Sequence, residues 1–347
     1  ITKSSTKVLL FLDMCKKKCT FAAYMNRNTV IFILLTAFLV VLFAVDICSG
    51  SIWLSPFGSS LSALEKQILI DIRLPKALTA IIAGIALSIA GLMMQTLFRN
   101  PLAGPYTLGI SSGATLGVAL ITMCSILLTT MHTALLLPLA ACIGATLVLL
   151  LVVAVSKRVT SNVSLLIVGM MFGSIASALV NVLQNFSNPD SLKLFIVWTL
   201  GSLHSVGWSD MPFLLGVVIV GLIIVLCVLK PLNGLLLGED YARGLGINIG
   251  RTRLLIVLAT GLLAGGITAF CGPIAFIGVA VPHIARGILK SSNHRYTIPL
   301  SALIGACLLL ACDILCSLAT YPLPISTVSA LFGAPIIIWI IMKKSTI

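Results

Sequence analysis

Charged residues are what this chain of 347 residues has least of: Asp, Glu, Lys and Arg together make up 9% of it, against about 25% in an ordinary soluble domain. A soluble protein must cover itself with polar and charged groups, so this shortage excludes a soluble enzyme and a soluble nucleic-acid binder. Aromatic residues reach only 7%, and the apolar runs are built from Leu, Ala, Ile and Val. That excludes an outer-membrane barrel, whose strands alternate apolar and polar residues. The sequence has no G-x-x-x-x-G-K-[ST] phosphate loop, catalytic triad, paired carboxylates or CxxC spacing. Any energy taken from ATP must therefore come from another chain, and no metal or cofactor is expected on this one.

What is present is apolar. Hydrophobic residues make up 59% of the sequence and the mean hydropathy is +1.17, so the chain is an integral membrane protein that crosses the bilayer many times. The net charge of +13 invites a nucleic-acid reading. Basic residues scattered between apolar segments instead fit the positive-inside rule, which implies lipid as the partner and no nucleic acid.

A spanning helix needs about 20 apolar residues, so the gaps between charges count the spans. Residues 29–45, closed by Asp46, give the first, and 77–98, bracketed by Arg73, Lys76 and Arg99, the second. Residues 100–156 contain no charge and fit two spans, broken near Thr129, Thr130 and His132. Residues 159–189 and 212–229 give two more, with a short amphipathic surface piece expected at 193–208. Residues 254–285 are long for one span and short for two, and Cys271, Gly272 and Pro273 predict a break in their middle. Residues 297–320 and 328–342 complete the series.

Charge placement decides the ambiguous stretch. With two spans at 254–285 there are ten in all and both termini lie inside. Eighteen basic residues then face inward, and only Lys66, Arg73, Lys76 and Lys193 face outward. A single span would move Arg286, Lys290, Arg295, Lys343 and Lys344 outside, leaving thirteen against nine. The ten-span topology follows. Residues 1–28 form a basic cytoplasmic extension, Met25 lies close to the expected true start, and residues 29–344 form the membrane domain.

Few polar groups fall inside the spans. Asp313 is the sharpest, because a carboxylate in an apolar run costs roughly 2.5–3.5 kcal/mol to insert. It reads either as an ion site or as a group near the outer end of its span that reaches water. Gln95, Asn181, Gln184 and Asn185 line a polar path or bond across helices. Glycines recur four or seven apart, as at Gly84 and Gly91 or Gly113 and Gly117, which predicts close helix packing. The cysteines within spans, such as Cys307 and Cys312, read as small buried apolar residues. The inside loop 230–253 mixes short apolar runs with Gly, which suits two short helices lying against something.

Several motifs in one order resemble the permease subunits of type II ABC importers, the family that takes up iron–siderophore complexes, haem and vitamin B12. Arg73, Pro75 and Lys76, with Gly84, Gly91 and Gln95, resemble its second span. Arg99, Asn100 and Pro101, followed by Pro105, Gly109 and Ser112, resemble its most recognisable signature. Pro282, His283 and Arg286, then His294, Arg295 and Pro299, follow its C-terminal half, and Gly333 to Pro335 its last span.

The resemblance covers residues from about 30 to 344. It implies an all-α fold of ten transmembrane helices, with spans two to five and seven to ten as an inverted repeat. It also implies a homodimer in the cytoplasmic membrane, two cytoplasmic ATPase subunits that carry ATP and Mg, and a periplasmic or lipid-anchored binding protein. Leu237, Gly238, Glu239, Tyr241, Ala242, Arg243, Leu245 and Gly246 would form the coupling helix on the ATPase. Arg73 and Lys76 would pair with acidic residues of the binding protein, and Thr160, Ser161 and Asn162 would narrow the cytoplasmic gate. Two departures stand out: Cys316 replaces a frequent Arg, and Pro322-Leu323-Pro324 replaces a Glu-Leu-Pro. The rivals are an ion-coupled secondary transporter using Asp313 and a membrane enzyme acting on lipid headgroups.

Overall fold

The structure is a computed structural model that describes residues 27–50, 62–123, 133–159, 161–319 and 323–344. Residues 1–26 of the N-terminal extension, Thr129, Thr130, His132, Thr160 and Pro322 lie outside the described residues. Among the described residues all regular structure is helical, as expected where lipid offers the backbone no hydrogen-bond partners. The helices are α1 (Arg27–Cys48), α2 (Ala63–Phe98), α3 (Ile110–Met123), α4 (Thr133–Ser156), α5 (Asn162–Asn185), α6 (Pro189–Thr199) and α7 (Met211–Cys227). They continue as α8 (Leu229–Leu236), α9 (Glu239–Gly244), α10 (Ile249–Cys271), α11 (Ile277–Leu289), α12 (His294–Leu318) and α13 (Ile325–Lys344). A π-helical stretch, Ile68–Arg73, widens the start of α2.

Each segment marked off by charge contains a helix. Among the described residues six helices are long and apolar enough to cross a bilayer, and α7 with α8, bent by 55°, makes a further candidate. Ile110–Met123 and Ile277–Leu289 are shorter apolar helices, below the length of about 20 residues that a full crossing needs. The ambiguous stretch does divide at the predicted break: α10 stops at Cys271, Gly272 turns the chain at φ +72°, and α11 begins at Ile277.

The core runs along α2 and α10, which are mostly buried, while α1 lies at its edge, with one face exposed and Ile31, Leu35, Leu39 and Leu42 packed on the core from the other. α2 packs on α10, α11 and α12, and α10 also packs on α4 and α7. The small-residue spacing accounts for how close α2 comes to its neighbours. A Cβ at Gly91 would sit 1.7 Å from the carbonyl oxygen of Gly278, and one at Gly84 would sit 2.3 Å from that of Gly305. Backbone therefore lies on backbone at both crossings.

The surface piece expected over 193–208 is shorter as a helix. α6 ends at Thr199, Gly201 reverses the chain at φ +75°, and the following residues fold back on the end of α10. Ser202 N donates to Cys271 O (2.8 Å) and Ser205 Oγ to Phe270 O (2.7 Å). These bonds take up carbonyls that the helix end leaves without partners.

Candidate functional site

The loop between α7 and α10 forms the two short helices that its glycines predict, α8 and α9. Gly238 enters α9 at φ +118° and ψ 156°, a region essentially restricted to glycine. It lies against the Arg99 guanidinium at the end of α2. The next residue, Glu239, accepts a hydrogen bond from Asn162 Nδ2, and the same amide nitrogen donates to Leu97 O (2.8 Å). Glu239 also faces Arg253 at 3.7 Å and Arg243 at 3.8 Å, and Arg253 donates to Val159 O (2.8 Å). One carboxylate thus ties α9 to α2, α5, α10 and the turn after α4.

On α9 and beside it, Leu237, Tyr241 and Leu245 are 63%, 57% and 60% exposed, with Asp240 and Arg243 exposed between them. Ala242 is fully buried, so its part is packing and not presentation to a partner. Gly246 turns the chain at φ +78°, and Ile247 N closes the loop onto Ala242 O. Through Glu239, α9 is joined to the ends of α2, α5 and α10.

The motifs far apart in sequence meet beside α8 and the end of α2. His283 Nε2 donates to Pro101 O at 2.7 Å, and Arg286 Nη1 donates to Gln95 Oε1 at 2.8 Å. Gln95 Nε2 in turn donates to Val279 O. Asn100 Oδ1 accepts from Leu102 N, which shapes the turn after α2, and Pro282 is buried inside α11. His294 is buried at the start of α12 and bridges Asn233 on α8 to Thr96 on α2, with 2.9 Å on either side. These polar residues clamp helices together. Ser161 is exposed immediately before α5, and Asn162 is already committed to Glu239 and Leu97.

At the opposite end of the bundle, Lys76 and Arg73, the residues expected to dock a binding protein, are buried among internal partners. The Lys76 ammonium is 2% exposed, 2.9 Å from Asp313 and 3.8 Å from Asp46, and it donates to Ser317 Oγ (2.9 Å). Arg73 is buried and donates to Ile47 O (3.0 Å) and Cys48 O (2.8 Å), which caps the end of α1. Both cations are paired within the chain, as the burial of a charge requires. Asp313 is likewise a paired group joining α12 to α2. Asp46, read from the sequence only as the end of a span, is the member that was missed. Its signal was available: with alternating topology, Asp46, Lys76 and Asp313 fall at the same level of the bilayer.

A cavity of about 960 Å³ opens between the turn at residues 105–109, α5 and residues 275–279. Tyr106, Thr107, Ser112, Ser174, Ser177 and Asn181 are the polar residues of its otherwise apolar lining, which includes no charged residue. Asn181 was legible as a polar residue on a path. The others were not, because a Ser in a transmembrane helix is as often bonded to its own backbone as it is exposed to a path.

A model of the FecCD transport family matches residues 31–343. The vitamin B12 import system permease protein BtuC of Salmonella paratyphi A is 38% identical over 330 residues, covering 94% of this chain and 99% of the relative. BtuC of Salmonella typhi is 37% identical over 334 residues, with the same coverage. Among solved structures, an inward-facing metal-chelate type ABC transporter superposes with a TM-score of 0.82 at 29% identity, over 91% of this chain and 99% of that one. PsaBC from Streptococcus pneumoniae in complex with Fab, at a TM-score of 0.51 and 20% identity, covers 77% of this chain and 90% of its own and shares the fold alone.

Proposed function

The chain belongs to the FecCD transport family and is the membrane-embedded permease of an ABC importer, and from that premise we propose that it passes a large metal chelate or corrinoid inward as one half of a homodimer. ATP is hydrolysed on separate subunits that bear on α9, and a binding protein delivers cargo at the end that carries Lys76 and Asp313. The observation that carries this reading is the pair formed by the wide cavity, mostly apolar and lined by no charged residue, and the Glu239 cluster, through which α9 can act as a lever on α2, α5 and α10. A bulky cargo suits a largely apolar wall with a few hydroxyls and one amide, since fixed charges would hold it too tightly to release. The BtuC relatives import vitamin B12 by name, which supports a corrinoid as the first cargo to test, beside iron–siderophore complexes and haem.

The lever supports coupling. Force on Leu237, Tyr241 and Leu245 would reach α2, α5 and α10 together, which is what a switch between two packed arrangements requires. An ion-coupled carrier would need Asp313 to exchange its partner for an ion, and its buried contact with Lys76 argues against that. The test is ATPase activity of the complex reconstituted with its binding protein. Cobalamin, a ferric siderophore and haem are offered separately, and stimulation by one of them identifies the cargo. Stimulation by none, together with uptake that persists without the ATPase subunits, would overturn the reading.

A further inference from the structure

A second polar cavity lies at the same end of the bundle as α9, between the last turn of α4 and the first turn of α10. Its volume is about 460 Å³, and its lining includes Lys157, Arg243, Arg251 and Arg253 and no acidic residue. Arg253 is nearly inaccessible, with 5% of its side chain exposed, whereas Lys157 and Arg251 are exposed at the rim. Glu239 lies 3.7 Å from Arg253 and 3.8 Å from Arg243, so a neighbouring carboxylate offsets only part of four positive charges. The positive end of the 23-residue α10 opens onto the same space through Ile249 and Gly250, and a Cβ at Gly250 would meet only Asn248 Oδ1 at 3.6 Å. A cluster of cations around a buried guanidinium at a helix N-terminus attracts a compact anion with several acceptor oxygens.

The surface leading to the cavity indicates which anion. Ile143, Leu147, Leu150, Ala154 and Lys157 are all exposed and follow one another at steps of four, three, four and three, so they form one stripe along a single face of α4. The stripe is apolar over its length and ends on Lys157 at the cavity rim. We propose that the cavity binds the phosphate of an anionic phospholipid headgroup, with an acyl chain lying along the α4 stripe. The site is separate from the cargo cavity and shares Arg243 and Arg253 with the Glu239 cluster. It ties the lipid leaflet to the place where the turn after α4, α9 and α10 join. Basic pockets at the ends of transmembrane helices hold anionic headgroups in this way.

The test is native mass spectrometry of the detergent-solubilised chain with phosphatidylglycerol, with phosphatidylcholine of matched chains, and with inorganic phosphate. Wild-type protein is expected to retain phosphatidylglycerol over phosphatidylcholine. Each exposed cation near a membrane surface contributes about fivefold to binding an anionic lipid, so Lys157→Gln with Arg251→Gln should weaken phosphatidylglycerol roughly 25-fold and abolish the preference. Arg251→Gln alone, at about fivefold, keeps the test open if the double variant gives no protein. Lys193→Gln, at the far end of the chain's surface, should leave retention unchanged. Equal retention of the two lipids by wild type, or an undiminished preference in the double variant, overturns the proposal. So does inorganic phosphate that displaces the lipid at equal concentration, which makes the ligand a free anion. Unchanged lipid retention with lost binding of the ATPase subunit assigns the cations to a partner's acidic residues, and overturns it as well.

Discussion

At Lys76 one ammonium serves two buried carboxylates, Asp313 at 2.9 Å and Asp46 at 3.8 Å. Removing one partner of a buried ion pair strands the others without compensation, at about 3–5 kcal/mol. Lys76→Met is therefore expected to lower thermal stability in detergent sharply, while adding Asp313→Asn to it should recover part of the loss. A double-mutant cycle in which the two effects simply add would refute the pairing. The same geometry changes what a charge reversal at Arg73 does. Arg73→Glu should cost stability by expelling the cap from Ile47 O and Cys48 O, and this is read as a lower melting temperature before any partner is added. Glu239 is the corresponding residue at the other end. Glu239→Arg sets a third cation against Arg243 and Arg253, and should uncouple ATP hydrolysis from uptake. Wild-type uptake per ATP in that variant would count against the lever.

At the level of elements, glycine positions separate packing from decoration. Gly91 on α2 touches the Gly278 backbone on α11, whereas Gly216 on α7 has nothing within 4 Å of a Cβ placed there. Gly91→Leu should abolish a monodisperse folded protein, and Gly216→Leu should be tolerated; size-exclusion profiles of the two distinguish them. Gly238→Ala tests the entry to α9. Its φ of +118° makes any side chain cost about 1–3 kcal/mol locally, so uptake should fall while the chain stays inserted. Much at this scale was legible beforehand. Gly and Pro break helices for local reasons, so the stop at Cys271 and the short helices α8 and α9 could be read from the sequence. Local reasoning did not reach the fold-back of residues 200–206 onto α10, because Ser202 meets Cys271 through a contact that spans nearly seventy positions.

For the whole molecule, the asymmetry of eighteen inward and four outward basic residues makes a topological prediction. Cysteines placed at Arg243 and at Lys344 should react from the same side of the membrane with an impermeant maleimide, and one at Lys193 from the other side. Labelling of Arg243Cys and Lys344Cys from opposite sides would refute the ten-span reading. The arrangement of the bundle agrees in one particular: Arg27, at the start of α1, donates to Leu289 O at the end of α11, which puts two segments assigned to the inside together.

The sequence by itself determined that the chain lives in a bilayer, that it is helical, where its helices break, and which family its ordered motifs resemble. Those properties depend on composition, hydropathy and local stereochemistry, all of which act over a turn or a span. The tertiary structure alone decided what the few charges do. Lys76 and Arg73 are read from the sequence as outward-facing cations, and folding turns them inward onto Asp46, Asp313 and the end of α1. It also gathered Glu239, Asn162 and Arg253 into one cluster and four cations around one cavity. The physical reason is that a buried charge must find its partner wherever the packing puts one, and packing joins residues that no local pattern connects.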